Sequence, residues 1–264
     1  MQKIKFWKMS GAGNDFILFD SGQLPVKDYA ALALKLCRRR LSVGADGILI
    51  VGHSSAIPEV RYFNSDGSEA FCGNGTRCAA AWLCLNGFTG KSFIMHTIAG
   101  DLAVKMISGG IFRVRMPNVS AVDLDPKGFF DPFTRVFFAD TGAPHCVVPV
   151  KNIKNAEVDK YGRMLRYNKA FGDGANVDFV EVKDDMLVIR TYERGVEAET
   201  LACGTGVTAS ALSCAAAYNI PSPVMVQVST GDVLEVEFTR KGAGAENIYL
   251  TGPAGLVYYG ELNE

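Results

Sequence analysis

The sequence predicts an α+β fold of two pseudo-symmetric domains, each a barrel-like β-sheet wrapped around one central α-helix. Its 264 residues contain Cys-Gly-x-Gly twice, at Cys72-Gly73-Asn74-Gly75 and Cys203-Gly204-Thr205-Gly206, and the two cysteines lie 131 positions apart, about half the chain. Short alternating or β-branched runs separated by turn residues recur in both halves, with few helical stretches between them. Each Cys-Gly-x-Gly leads into a run rich in alanine and cysteine, small on every side, as a helix enclosed by close strands requires.

In chain order, the first half is expected to hold strands at 4–7, 16–20, 47–51, 60–64, 92–96, 102–107 and 112–116. A helix is expected at 29–39, where Leu32, Ala33 and Leu36 recur at helical spacing, and another at 76–85 after the first Cys-Gly-x-Gly. The polar, proline-bearing stretch 116–128 reads as the crossing between domains. Residues 1–118 then form the N-terminal domain with Cys72, and 119–253 the C-terminal domain with Cys203. The second half repeats the plan with strands at 134–139, 145–150, 177–183, 187–192, 224–228, 233–238 and 248–251 and a helix at 207–218.

Composition narrows the function classes. At 48% hydrophobic residues the chain has ample apolar content for two packed cores. Lys+Arg 27 against Asp+Glu 28 gives a net charge of −1, so no basic face is implied for nucleic acid or an anionic membrane. Apolar stretches fall far short of the about 20 residues of a membrane span, and the first seven residues alternate polar and apolar with lysines, unlike a signal peptide. A cytoplasmic protein is the expectation. Seven cysteines without framework spacing are expected to be reduced thiols. Cys37, Cys78, Cys84, Cys146 and Cys214 read as small core hydrophobes.

Cys72 and Cys203 stand apart, because two following glycines and an Ala-rich run put each sulfur at a helix N-terminus. There the dipole favours thiolate and free N–H groups can hold an anion. Two such sites in a duplication suggest one acid and one base for one small substrate. Before Cys72, the stretch Asn64-Ser65-Asp66-Gly67-Ser68-Glu69-Ala70-Phe71 brings an amide and a carboxylate toward the helix start. Before Cys203, Arg194 can clamp a carboxylate while Glu193 accepts from an ammonium group. Glu197 and Glu199 read as a solvated loop, and Arg77 as a surface-reaching stem or a local ion-pair partner. His145 follows a Gly-Ala-Pro turn and could hydrogen-bond a cysteine. Asn14 and Asn176 follow glycines at strand starts in the two halves, as neutral donors aimed at one cleft.

Other chemistries fit poorly. Gly11-x-Gly13 lacks the third glycine of a dinucleotide fingerprint. The six-residue steps from Cys72 to Cys78 to Cys84 do not match zinc knuckles, so no metal is expected. A cysteine-protease arrangement with His145 leaves the second Cys-Gly-x-Gly unexplained.

The segments Gly11-Ala12-Gly13-Asn14-Asp15-Phe16, Asn64-Ser65-Asp66-Gly67-Ser68-Glu69, Cys72-Gly73-Asn74-Gly75-Thr76-Arg77-Cys78, Gly142-Ala143-Pro144-His145-Cys146, Glu193-Arg194-Gly195 and Ala202-Cys203-Gly204-Thr205-Gly206 occur in this order, and they resemble the diaminopimelate epimerase family over nearly the full chain. The resemblance implies an isomerase that interconverts LL- and meso-2,6-diaminopimelate without pyridoxal phosphate or any other cofactor, in lysine and peptidoglycan precursor biosynthesis. It implies Cys72 and Cys203 as the acid–base pair, and Asn14, Asn64, Gly73, Asn74, Asn176, Glu193, Arg194, Gly204 and Thr205 around the substrate. His145 and Glu193 would tune the thiols. The C-terminal strand 254–264 would return to the N-terminal domain and support a homodimer through Tyr258. The chain departs from some members at Ala143, where they have Asn, and at Gly47, where they have Gln. Related racemases of proline and hydroxyproline resemble Cys-Gly-His-Gly at the first site, and phenazine-biosynthesis isomerases lack the cysteine pair. A related racemase, or an amino-acid-binding protein of the same fold, remains the alternative.

Overall fold

The computed structural model describes residues 3–184 and 186–263. The chain divides into two compact units, one running to Val114 and resuming at Gly252, the other spanning Arg115–Thr251.

In the first unit, strand Lys3–Gly11 pairs antiparallel with Asn14–Asp20 on one side and with the C-terminal strand Gly255–Asn263 on the other. Asn14–Asp20 runs parallel to Gly47–Gly52, which pairs antiparallel with Glu59–Asn64. A hairpin, Ser92–Thr97 with Gly100–Ser108, continues the curl. The run Gly-Ile-Leu-Ile-Val-Gly of strand Gly47–Gly52 is buried throughout, because both of its faces are covered. On one face Phe16, Leu18, Leu49 and Val51 pack with Cys78, Trp82 and Leu83 of the central helix; on the other Ile17, Phe19, Ile48 and Ile50 pack with Leu32 and Leu36.

Helix α1 (Tyr29–Leu36) carries this second face and is capped by Asp28, whose carboxylate accepts the Ala31 N–H at 3.0 Å. It ends short of the expected residue 39, and the chain leaves it through Arg40 at φ 68°. The central helix α2 (Gly73–Leu85) starts three residues before its expected position, since the Cys72 carbonyl accepts the Thr76 N–H at 2.9 Å and so makes Cys72 the cap.

The second unit repeats this order. Phe137–Asp140 pairs with Pro144–Pro149, which runs parallel to Asn176–Lys183, and that strand pairs antiparallel with Met186–Glu193. Ala198–Thr200 and Val224–Gln227 flank Met186–Glu193, and Val233–Lys241 leads into Gly244–Pro253. Helix α3 (Val158–Arg166), not foreseen from the sequence, packs Val158 and Leu165 on the outer face with Phe179 and Tyr192. Its central Gly162 weakens helical propensity but is needed, because a Cβ there would lie 2.5 Å from that of Tyr192. Helix α4 (Gly204–Tyr218) is buried from Gly204 to Ala215 and fills the centre of the sheet. Segment 116–128 is woven into this second unit: Val119 bridges Ala245, and strand Val122–Asp123 pairs with Phe137–Asp140.

The repeat is in register. Phe16 lies opposite Gly47 in the first parallel pair and Val147 opposite Asp178 in the second, the same 131-residue offset that relates the cysteines. Asn14 therefore corresponds to His145, Asn74 to Thr205, Gly75 to Gly206 and Gly47 to Asp178.

Candidate active site

In the first unit Cys72 is half-buried in extended conformation at the start of α2, and its sulfur accepts the Gly75 N–H at 3.3 Å. The thiol donates to Asn14 Oδ1 at 3.7 Å, and Asn74 Nδ2 donates to the same oxygen at 3.4 Å. Behind Asn74, the guanidinium of Arg77 donates to Asn74 Oδ1 at 2.8 Å and lies close to the Pro253 carbonyl. Arg77 is fully buried rather than a surface-reaching stem. Gly11 allows a close approach here, since a Cβ would sit 3.1 Å from both the Asn74 carbonyl and the Cys78 sulfur, tighter than ordinary contact.

Asn14 is held from behind by charge. Its amide nitrogen donates to Asp46 Oδ2 at 2.5 Å, Asp46 exchanges backbone contacts with Asp15, and Arg39 bridges both carboxylates at 2.6 and 2.7 Å. Lys8 completes the cluster at 2.6 Å from Asp15 and donates to the Gly44 carbonyl. Burial pushes Asp46 above the usual carboxylate range, and the neighbouring Asp15 charge adds to it. Burial also acts on Asp15, but hydrogen bonds and charge from Arg39 and Lys8 outweigh it and hold that group low.

Asn64 closes its own turn, donating to Ser68 Oγ at 3.0 Å. Both carboxylates of this stretch are engaged locally: Glu69 is turned to Arg61 in a bidentate pair at 2.8 Å on each side, and Asp66 accepts from the Ser68 N–H at 2.9 Å and its hydroxyl at 2.6 Å. Gly47 has no room for a side chain: a Cβ would lie 2.4 Å from the Phe63 carbonyl and from the Tyr62 ring.

In the second unit Cys203 caps α4, buried, with its sulfur 3.3 Å from Thr205 Oγ1. Thr205 Oγ1 is 2.9 Å from His145 Nε2, and His145 Nδ1 is 2.7 Å from Asp178 Oδ2. Asp178 Oδ1 accepts from the Thr191 hydroxyl at 2.7 Å. Asn176 donates to the Pro144 carbonyl at 3.2 Å and points the same nitrogen at His145 Nε2, 3.4 Å away, while its oxygen accepts the Arg194 N–H at 2.8 Å. The exposed Arg194 side chain donates to the Gly174 carbonyl at 3.2 Å, and the Thr200 hydroxyl donates to Glu193 Oε2 at 2.7 Å. Glu197 and Glu199 are ion-paired rather than simply solvated, Glu197 with Arg166 and Glu199 with Arg190.

The Cys203 thiol departs from the thiolate expected at a helix start. Burial pushes it well above the ordinary thiol value, the Glu193 and Asp178 carboxylates add to that, and the Thr205 hydroxyl and Gly206 N–H oppose them without prevailing. Burial also raises the thiols of Cys78 and Cys146, and those of Cys37 and Cys214 to about 12; Cys84, read as a core residue, is only half-buried.

The sequence-predicted residues thus gather in two networks: Cys72, Asn14 and Asn74 in one unit, and Cys203, Thr205, His145, Asn176 and Arg194 in the other. Gly73 and Gly204 open the two helices. Asp46, Asp178 and Thr191 were missed. The available signal for Asp178 was a carboxylate inside the apolar run Val177-Asp178-Phe179-Val180. Tyr258 lies on the C-terminal strand opposite Lys8, partly exposed and edge-on to Phe6 at 6.1 Å. No helix among the described residues is long and apolar enough to cross a membrane.

The profile of the family described as Diaminopimelate epimerase matches residues 6–122 and 137–257. The chain is 38% identical to a diaminopimelate epimerase of Methanocella arvoryzae, covering 100% of this chain and 98% of the relative. It is 35% identical to that of Aquifex aeolicus over 99% and 98% of the two chains. Among solved structures it resembles a phenazine biosynthesis protein of the PhzF family from Bacillus anthracis, with TM-score 0.79, 18% identity and full coverage of both chains. A probable proline racemase from Agrobacterium radiobacter superposes with TM-score 0.76 at 15% identity, over 98% of this chain and 93% of the other. At these identities the structural likeness speaks for the fold alone.

Proposed function

The chain belongs to the diaminopimelate epimerase family, and from that premise we propose that it interconverts LL- and meso-2,6-diaminopimelate with Cys72 and Cys203 as its acid and base. The observation that carries the reading is the pair of thiols at the N-termini of α2 and α4, each hydrogen-bonded to a neutral polar group, Asn14 or Thr205. In one direction a thiolate takes the α-proton, leaving the C–H electron pair on carbon, and the other thiol returns a proton to the opposite face as its own S–H pair stays on sulfur. In the reverse direction the roles exchange.

The α-carbanion is the costly species. Backbone N–H groups at the helix starts suit the substrate α-carboxylate as charge develops on it, which is worth a few kcal/mol where water is excluded. Arg194 fits a second carboxylate, and Glu193 and the asparagines fit ammonium groups. No step in this chemistry asks for a bound cofactor. The reading extends to a cytoplasmic homodimer paired through the C-terminal strand and Tyr258, whose exposed aromatic and aliphatic neighbours Leu256, Val257 and Tyr259 supply the apolar surface.

The test is incubation with LL-diaminopimelate and, separately, with the meso form, followed by chiral separation. Both reactions should converge on the same mixture. No change in either, or equal activity on proline, would overturn the assignment.

A further inference from the structure

We propose that Asp178 is a positioning residue for Cys203, acting through His145 and Thr205 to fix which way the hydrogen bonds at the sulfur run. This rests on the reading of Cys203 as one of the two proton-transfer groups. The direction of the chain follows from donor and acceptor inventories. Asn176 Oδ1 is committed to the Arg194 N–H at 2.8 Å, so the Asn176 group facing His145 Nε2 at 3.4 Å is its amide nitrogen, which can only donate. Nε2 must then accept, and the imidazole proton sits on Nδ1, directed at Asp178 Oδ2 at 2.7 Å. Asp178 and His145 are both without solvent exposure, and Asp178 is itself held by the Thr191 hydroxyl at 2.7 Å, so neither can turn to water for another partner.

With Nε2 restricted to accepting, the Thr205 hydroxyl donates to it across 2.9 Å and presents its lone pair to the Cys203 sulfur at 3.3 Å. Cys203 in this arrangement donates its S–H to Thr205. When the thiol gives its proton to substrate carbon, the S–H electron pair stays on sulfur, and the Thr205 hydroxyl rotates to donate to the new thiolate. His145 Nε2 then keeps the Asn176 N–H as its donor. Thr205 is therefore a two-position donor, and Asp178 prevents His145 from adopting the tautomer that would lock the hydroxyl toward sulfur. The groups facing this chain are Glu193 from Met186–Glu193, Asp178 and Asn176 from Asn176–Lys183, His145 from Pro144–Pro149 and Thr205 from α4. The first unit has no counterpart, because Gly47 occupies the position of Asp178 and Asn14 that of His145.

The test reads the sulfur and the imidazole directly and needs no turnover, so its failure is distinct from failure of the epimerase assignment. Cys203 alkylation by iodoacetamide, followed by peptide mass spectrometry at fixed pH, reports the thiolate fraction. Asp178→Asn removes a neighbouring negative charge and the tautomer lock, and is expected to speed alkylation about tenfold, the effect of one pKa unit. Thr205→Val should slow it several-fold and Thr205→Ser should restore it. If Asp178→Asn does not fold, nitrogen-15 NMR of the histidine-labelled wild-type protein, which has three histidines, still decides: His145 should carry its proton on Nδ1. A proton on Nε2, or unchanged alkylation in folded Asp178→Asn, or equal alkylation in Thr205→Val and Thr205→Ser, would overturn the proposal.

Discussion

Gly206 and Asp178 are in such close approach that no side chain can stand between them: a Cβ on Gly206 would lie 2.4 Å from Asp178 Oδ1 and 3.2 Å from His145 Cε1. The second glycine of Cys-Gly-Thr-Gly therefore admits the carboxylate–imidazole pair to the start of α4. In the first repeat Gly75 faces something softer, the end of the Leu49 side chain at 2.9 Å.

The two glycines should respond differently to alanine. Gly206→Ala is expected to cost about 1–3 kcal/mol, as overpacking against a fixed buried pair does. In Gly75→Ala the leucine can shift and helix propensity gains up to about 1 kcal/mol, so the net change should be near zero. Urea unfolding of both variants measures this. Equal costs would mean that Asp178 is free to move.

Cys72→Ala and Cys203→Ala should each reduce turnover by on the order of 10³-fold in both directions, because each thiol is the base one way and the acid the other. Cys214→Ala, in the buried wall of α4, should cost about 1 kcal/mol of stability and little rate. Progress curves from each diastereomer give the comparison, and near-normal turnover in either of the first two variants would remove that cysteine from the mechanism.

Arg194→Lys keeps the charge and loses the planar fork that meets a carboxylate with two parallel hydrogen bonds. A fall of roughly 10- to 100-fold in kcat/KM is expected, about 1.4 kcal/mol per factor of ten. Steady-state kinetics with unchanged values would leave Arg194 only its contacts to Asn176 and Gly174.

The carboxylates behind Asn14 predict an acid limb. Asp15 is held below its unfolded value, so its contribution is complete above roughly pH 4 and disappears as pH falls through the folded value. Asp46 is raised, so its own contribution runs the other way, declining as pH rises from about 4 through its folded value. Asp15→Asn should flatten the loss below pH 4 and, by leaving the buried Lys8 without its carboxylate, cost on the order of 2 kcal/mol at neutral pH. Urea midpoints from pH 3 to 7 will show whether the limb persists.

The duplication was legible because glycine and cysteine spacing survives unchanged across the repeat, and the central helices because small residues on every side have few other uses. What escaped was non-local. Asp178 meets His145 through parallel strands that set Val147 beside Asp178, a register no local pattern displays. A carboxylate of the 65–71 stretch was expected at the helix start, yet Arg61 on the directly paired strand Glu59–Asn64 captures Glu69. The ionisation of Cys203 was misjudged for a physical reason: a helix terminus shifts a thiol modestly, whereas full burial beside two carboxylates shifts it further the opposite way. Helix α3 was hidden by Gly162, whose purpose is visible only against Tyr192.

The central claim, that two separate thiols handle the α-proton, is tested most directly by running the reaction on LL-diaminopimelate in deuterium oxide and following the α-proton signal and the diastereomer ratio together from the first turnovers. Two acid–base groups deliver a solvent-derived hydrogen to the new face, so the meso product should carry deuterium at the inverted carbon from the outset. Meso product that retains the original α-hydrogen would mean that one group carries the same proton across, and would contradict the assignment of Cys72 and Cys203 as a pair.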